Sequence, residues 1–176
     1  MIIAIAGQIG SGKSTLARAL ASRLNAKLLA FGDYVRARAR RQGLDANSRS
    51  VLQDLGQRLA NDPATFVKDA LSWIEYSRGD HCIIDGVRHK AIWEEITNIS
   101  HRTNEDATLV FLSVTGPERE RRLRARGLEI DAIATFDNHP SERDVSQYFY
   151  EAADLRLDGQ QTPAELVEII VRSLGV

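Results

Sequence analysis

The sequence predicts an α/β fold of three layers, with a five-stranded, largely parallel sheet lying between helices. Two observations carry that expectation. Short apolar runs without turn signals alternate along the chain with longer segments whose apolar residues recur at helical spacing. The first run, Ile2 to Ala6, also passes through a glycine-rich loop directly into a helical pattern. A length of 176 residues, with 43% hydrophobic and 27% charged residues, suits one globular domain able to bury a real core.

Taken in order, Ile2 to Ala6 has no polar alternation, as expected of a strand buried on both faces. Leu16, Leu20 and Leu24, with Ala17, Ala19 and Ala21, give the next segment an apolar helical stripe. Lys27 to Phe31 predicts a second strand ending at Gly32-Asp33, then a helix from about Asp33 to Gln42 that Gly43 can close. Ser48 is placed to cap a helix carrying Val51, Leu52, Leu55 and Leu59. Asp62-Pro63 opens another, striped by Phe66, Val67, Ala70, Leu71 and Ile74 and ended by Gly79, with Trp73 read as packing. His81 to Asp85 is the third strand, a helix spans about Ala91 to Asn98, and Thr108 to Val114 is the fourth strand. Thr115-Gly116-Pro117-Glu118 reads as a capping box opening an arginine-rich helix that ends at Gly127. Residues 128–140 show no clean period and contain Asn138 and Pro140, so a mobile loop is expected, followed by a short helix from Ser141. Leu155 to Asp158 is the fifth strand, and Thr162-Pro163-Ala164-Glu165 caps a last helix faced by Ala164, Val167, Ile170, Val171 and Leu174.

Composition narrows the function classes. A net charge of −1 argues against a broad nucleic-acid-binding face. No apolar run approaches the ~20 residues that cross a bilayer, and no charged leader precedes the first strand, so neither a membrane association nor a secretory signal is expected. Cys82 is the sole cysteine and sits in an apolar run, which suggests a small buried side chain and a reducing, cytoplasmic setting. Without internal repeats or a linker, residues 1–176 read as a single domain, and no obligate protein partner is evident.

The chemistry concentrates first in Gly7-Gln8-Ile9-Gly10-Ser11-Gly12-Lys13-Ser14, which matches G-x-x-x-x-G-K-[ST] at every fixed position, between a strand and a helix as that motif requires. Glycines 7, 10 and 12 allow backbone conformations closed to other residues and let N–H groups approach a polyphosphate. The helix beginning near Lys13 adds its amides and the positive end of its dipole. The stretch from Gly7 to Thr15 is therefore the expected nucleoside triphosphate site. In it Lys13 reaches the β- and γ-phosphates, and the Ser14 hydroxyl ligates Mg2+. Asp85 ends a predicted central strand, where ligands gather in parallel sheets, and is the second candidate to hold Mg2+. An acid at a strand end also serves as a turn former.

Together with the glycine loop, the segments Gly32-Asp33-Tyr34-Val35-Arg36, Asp85-Gly86-Val87-Arg88 and Arg122-Leu123-Arg124-Ala125-Arg126 resemble the nucleoside monophosphate kinase group of P-loop kinases. The stretch LQDLGQRLANDPATFV, followed later by IIDGVRH, is similar to phage-type deoxynucleoside monophosphate kinases, and dephospho-CoA kinases share much of the skeleton. The resemblance implies a P-loop NTPase fold with a small lid at about 122–144. It also implies ATP-dependent transfer of the γ-phosphate to a nucleotide-like small-molecule acceptor, a (deoxy)nucleoside monophosphate, with dephospho-CoA as the nearest rival. It implies further that Asp33 and Arg36 lie at the acceptor pocket, that Arg36 and Arg88 hold the acceptor's phosphate, that Arg122 and Arg126 cover the ATP phosphates, and that Arg143 enters from the far side of the lid. The group's usual Asp-Gly-Phe-Pro-Arg is one residue shorter here.

Plainer roles stand beside these. Asp33 could cap its helix, and Arg36, Arg38, Arg40 and Arg41 could form a solvated face. Glu118 with Arg122, and Glu120 with Arg124, are spaced to pair along a helix. His89 and His139 read as exposed loop histidines. A nucleotide-dependent switch or regulatory ATPase is the rival class, although the Asn-Lys-x-Asp motif of GTPases and an ABC-type signature are both absent.

Overall fold

The structure, a computed structural model, describes residues 1–128 and 147–176. Its elements run β1 (Ile2–Ala6), α1 (Lys13–Arg23), β2 (Lys27–Ala30), α2 (Phe31–Arg41), α3 (Arg49–Ala60), α4 (Pro63–Trp73), β3 (Cys82–Asp85), α5 (Lys90–Thr103), β4 (Ala107–Ser113) and α6 (Gly116–Arg124). After the undescribed stretch come α7 (Tyr148–Ala152), β5 (Leu155–Asp158) and α8 (Pro163–Leu174). The five strands form one parallel sheet in the order β2-β3-β1-β4-β5.

The unbroken apolar run of β1 has its reason in this topology, since β1 is the central strand and every residue of it is buried. Ile3 and Ile5 pack with Leu16 and Leu20 of α1 and Leu166 and Ile170 of α8 on one face. Ile2, Ala4 and Ala6 pack on the other with residues of α2 to α5 and with Phe149 of α7. Three layers result, as expected. Cys82 is buried, and burial pushes its thiol up to about 12, which suits a packing residue.

Several element ends differ from expectation, and four have a plain local reason. Phe31 begins α2 instead of ending β2, and its ring packs 4.9 Å from that of Phe66. Helix α4 stops at Trp73 rather than at Gly79: Glu75 takes a φ of 55°, and the Tyr76 amide bonds back to Leu71 O at 3.0 Å. Helix α5 continues to Thr103, because Ser100 is accommodated in its buried face by donating to Thr97 O at 2.9 Å. Thr115 stands at the N-cap of α6 but makes no side-chain cap, so the expected capping box is not formed, and the Glu118 carboxylate bonds Arg121 and Arg122 instead. The box expected at Thr162 and Glu165 is present in full, although Ala164 is exposed and Leu166 takes the buried place on α8. The loop expected over 128–140, the helix from Ser141 and most of the lid fall on residues outside those described. Among the described residues no helix is long and apolar enough to cross a membrane.

Candidate functional site

Parallel pairing aligns the strand ends that build the site. Ile5 and Ala30 both pair with Asp85, and the Gly86 amide donates to Ile5 O at 3.2 Å. The chain leaving β1, the start of α2 and the exit of β3 therefore share the carboxyl edge of the sheet. Gly7 leaves β1 with a φ of 141°, and a Cβ there would lie 2.3 Å from Leu112 O of β4, so only glycine fits. Gly10 and Gly12 also take positive φ. No side chain caps α1 and no acid stands in its first turn, which leaves its N-terminal amides and dipole for an anion. Lys13 is buried, with Nζ donating to Gln8 O at 2.8 Å.

These elements surround a cleft of about 750 Å³. Gly10, Gly12, Lys13, Ser14 and Thr15 line one part of it, and Asp85, Gly86, Arg88 and His89 another. Arg88 thus reaches the cleft despite the shortened motif. Asp33 and Arg36 also line it, joined by an ion pair of 2.8 Å, with Asp33 inside the first turn of α2 and not at its cap. Sequence reasoning missed Arg18 of α1 and the face of α3 made by Arg49, Gln53 and Gln57. Helical spacing showed these residues to lie off the apolar stripe, but gave no sign that their side turns toward the cleft. Six cationic side chains line the cleft against two acids, Asp33 and Asp85, in a chain of net charge −1.

Asp85 Oδ1 is buried and has no hydrogen-bond partner, an arrangement that costs free energy unless a cation or donor meets it. Among the described residues no group of three or more His, Cys, Asp or Glu could hold a metal alone. A single carboxylate beside a phosphate loop with a serine hydroxyl is instead the donor set that suits Mg2+ shared with phosphate oxygens. Ser14 and Asp85, both on the cleft wall, fit that ion.

Beyond the loop, α6 closes the site from the other side. The Arg122 guanidinium donates from Nε to Glu118 at 2.6 Å, from Nη1 to Ser11 O at 3.1 Å and from Nη2 to Gly159 O at 2.8 Å. It therefore braces the loop backbone, where the resemblance implied a cover for phosphates. Hydrogen bonds from Arg121 and Arg122 pull the Glu118 carboxyl down to about 2. Buried Arg119 donates from Nε to Ile9 O at 2.8 Å, a contact without any sequence signal. A recess of about 220 Å³ lies against Gly12, Thr15, Arg122, Gln161 and Pro163, and Arg126 lines both this recess and the cleft. Arg143 and His139 lie outside the described residues.

The family model described as "AAA domain" matches residues 3–146. A "UPF0200 protein" of Methanothrix thermoacetophila is 32% identical over 133 residues, which span 74% of this chain and 68% of that protein. Among solved structures, the shikimate kinase from Acinetobacter baumannii in complex with shikimate has a TM-score of 0.67 at 15% identity, over 98% of this chain and 92% of that one. The APS kinase of Mycobacterium tuberculosis in complex with AMPPNP and APS has a TM-score of 0.63 at 17% identity, over 99% and 97%. At those identities the likeness is one of fold: a five-stranded parallel sheet flanked by helices, in the kinase-like form of the P-loop fold. With residues 3–146 matched, a span that includes the glycine loop and most of the chain, the chain belongs to the AAA-domain family of P-loop proteins.

Proposed function

We propose that the protein is an ATP-dependent phosphotransferase whose acceptor is a nucleotide-like small molecule bearing its own phosphate, a (deoxy)nucleoside monophosphate. The observation that supports this best is the run of cations along one cleft, from Lys13 through Arg88 to Arg36 and Arg49, which exceeds what a triphosphate alone requires. Phosphoryl transfer depends mainly on positioning and on positive charge around the transferring group. Arginine's planar fork suits a second phosphate better than a switch protein would need.

In this reading the loop from Gly7 to Thr15 binds the donor's phosphates, Lys13 neutralises them, and Arg126 stands where donor and acceptor meet. Mg2+, held by Ser14 and Asp85, supplies charge compensation and orients the phosphate oxygens. The recess between Arg122, Pro163 and Gln161 takes the donor's base, since a guanidinium plane and a proline ring are both surfaces on which a flat ring stacks. Arg36 and Arg88 hold the acceptor's phosphate, with Phe31, Val35 and Phe66 forming an apolar wall beside it. A coupled ADP-release screen tests the proposal, using the (deoxy)nucleoside monophosphates, dephospho-CoA, shikimate and adenosine 5′-phosphosulfate as acceptors. Stimulation by a monophosphate well above the acceptor-free rate is expected. Full-rate hydrolysis with no acceptor favours the ATPase or switch class, and stimulation only by an acceptor lacking phosphate removes the assignment of Arg36 and Arg88.

A further inference from the structure

Three consecutive loop residues are seated on α6. Arg119 Nε holds Ile9 O at 2.8 Å, Leu123 and Arg119 stand against Gly10, and Arg122 Nη1 holds Ser11 O at 3.1 Å. The contact to Gly10 is close: a Cβ there would meet Leu123 Cγ at 3.0 Å and Arg119 Cγ at 3.2 Å. Arg119 itself is only 9% exposed, an uncommon burial for a guanidinium, whereas Arg121 and Arg124 of the same helix are exposed.

Peptide geometry gives these bonds a directional consequence. No peptide bond among the described residues is cis, and in a trans peptide the C=O and the following N–H point in opposite directions. Fixing Ile9 O toward α6 therefore turns the Gly10 N–H away from it, and fixing Ser11 O does the same for the Gly12 N–H. Both glycines line the cleft. Both take positive φ and, having no Cβ, both are freer in backbone conformation than any other residue, so a bond from outside the loop is needed to hold each plane. A cation bound to the back of a carbonyl also polarises that peptide toward a more positive N–H.

We propose that Arg119 is a positioning residue of the phosphate loop. By bonding Ile9 O from α6 it sets the peptide plane that presents the Gly10 N–H to an anion, as Arg122 does for the Gly12 N–H. Arg119 touches neither donor nor acceptor in this role. The consequence for binding rests on the loop's holding a nucleotide phosphate, whereas the consequence for loop order does not.

The test uses the full chain with Arg119→Met, which keeps the apolar stem, and Arg119→Lys, which keeps a donor for Ile9 O. Amide exchange at residues 9–13 is measured without nucleotide, ATP and ADP affinities by calorimetry, and thermal unfolding alongside. The expected result for the methionine variant is cooperative unfolding with faster loop exchange and affinities weaker by about ten- to a hundredfold, the scale of one hydrogen bond to a charged group. Lysine should restore most of both. Wild-type exchange and affinity in the methionine variant would overturn the proposal. So would a lysine variant no better than the methionine one, or the loss of cooperative unfolding in both, since each makes Arg119 a residue of the fold alone. Should the wild-type chain bind no ATP while its loop order depends on Arg119 as stated, the phosphotransferase reading fails and the positioning role stands.

Discussion

Lys13 is only 7% exposed, and a buried ammonium is costly unless its protons are bonded, which explains the 2.8 Å bond from Nζ to Gln8 O. That partner belongs to the loop itself, so the side chain serves the loop and not the two cores packed against the sheet. Lys13→Ala should therefore lower turnover by about 10³-fold, the scale of losing a preorganised charge at the reacting group, while the thermal midpoint of the ligand-free protein stays close to wild type. Parallel assays of rate and unfolding check this, and joint loss of both would place Lys13 in the fold. Asp85 poses the complementary question, because its Oδ1 is buried without a partner. Asp85→Asn keeps the shape and removes the charge. The Mg2+ concentration for half-maximal rate should rise about tenfold or more, with metal-free nucleotide affinity nearly unchanged, and an unaltered Mg2+ titration would take Asp85 out of the metal site. The places of both residues on the cleft wall were legible in the sequence because each is fixed by local context, a motif position or a strand end. Arg119 was not, since its bond to Ile9 O spans 110 residues and carries no periodic mark.

All five strands were legible to within one residue: the central β1 is an unbroken apolar run because both its faces are buried, and the edge strand β5 shows instead the alternation of a strand half open to solvent, with Leu157 buried between exposed Arg156 and Asp158. Helix ends were less so. Where α4 stops depends on Tyr76, whose hydroxyl reaches Glu105 at 2.9 Å, and no local signal announces that partner. The same limit hid the way the turn after β5 meets the loop. A Cβ on Gly159 would lie 2.6 Å from Ser11 O and 2.8 Å from Ser113 O, both backbone atoms that cannot swing aside. Gly159→Ala must move the β5–α8 turn off the phosphate loop and stretch the Arg122 bonds that bridge Ser11 O and Gly159 O. A loss of roughly 1–3 kcal/mol in stability is expected from the overpacking, together with weaker nucleotide binding. Gly116→Ala is the control, with nothing within 4 Å of its added methyl, and it should leave both quantities near wild type. Equal behaviour of the two variants would show that this turn yields without consequence.

Among the described residues, the cleft and a second polar cluster, around Glu105, occupy opposite ends of the sheet. The loop, Asp85 and the start of α2 share the carboxyl edge, whereas Glu105, just before β4, gathers partners at the amino edge. Its carboxylate accepts from Tyr76 Oη at 2.9 Å, Gly79 N at 3.0 Å and Thr103 Oγ1 at 2.7 Å, with the Met1 amino group 3.6 Å away. Burial works to raise the pKa of this group, but these donors and the amino group outweigh burial and hold it below its ordinary value of 4.5. A carboxyl depressed on folding contributes stability that is complete above that ordinary value and disappears as pH falls through the folded pKa. Glu105→Gln keeps the shape and loses the charge, so it should cost about 1.5–3 kcal/mol at pH 7, the range for hydrogen bonds to a charged group. The difference from wild type should shrink as the pH falls below 4.5 and through the depressed folded pKa, where the wild-type carboxyl takes up its proton. Denaturant unfolding at several pH values reads this directly, and a pH-independent difference would assign the effect to packing. ADP affinity at pH 7 should be the same in both proteins, because the cluster lies at the far edge of the sheet from the cleft. A folded Glu105→Gln protein with altered ADP affinity would mean that the two edges are energetically coupled through the strands, and that the phosphate loop is positioned from below the sheet as well as from α6.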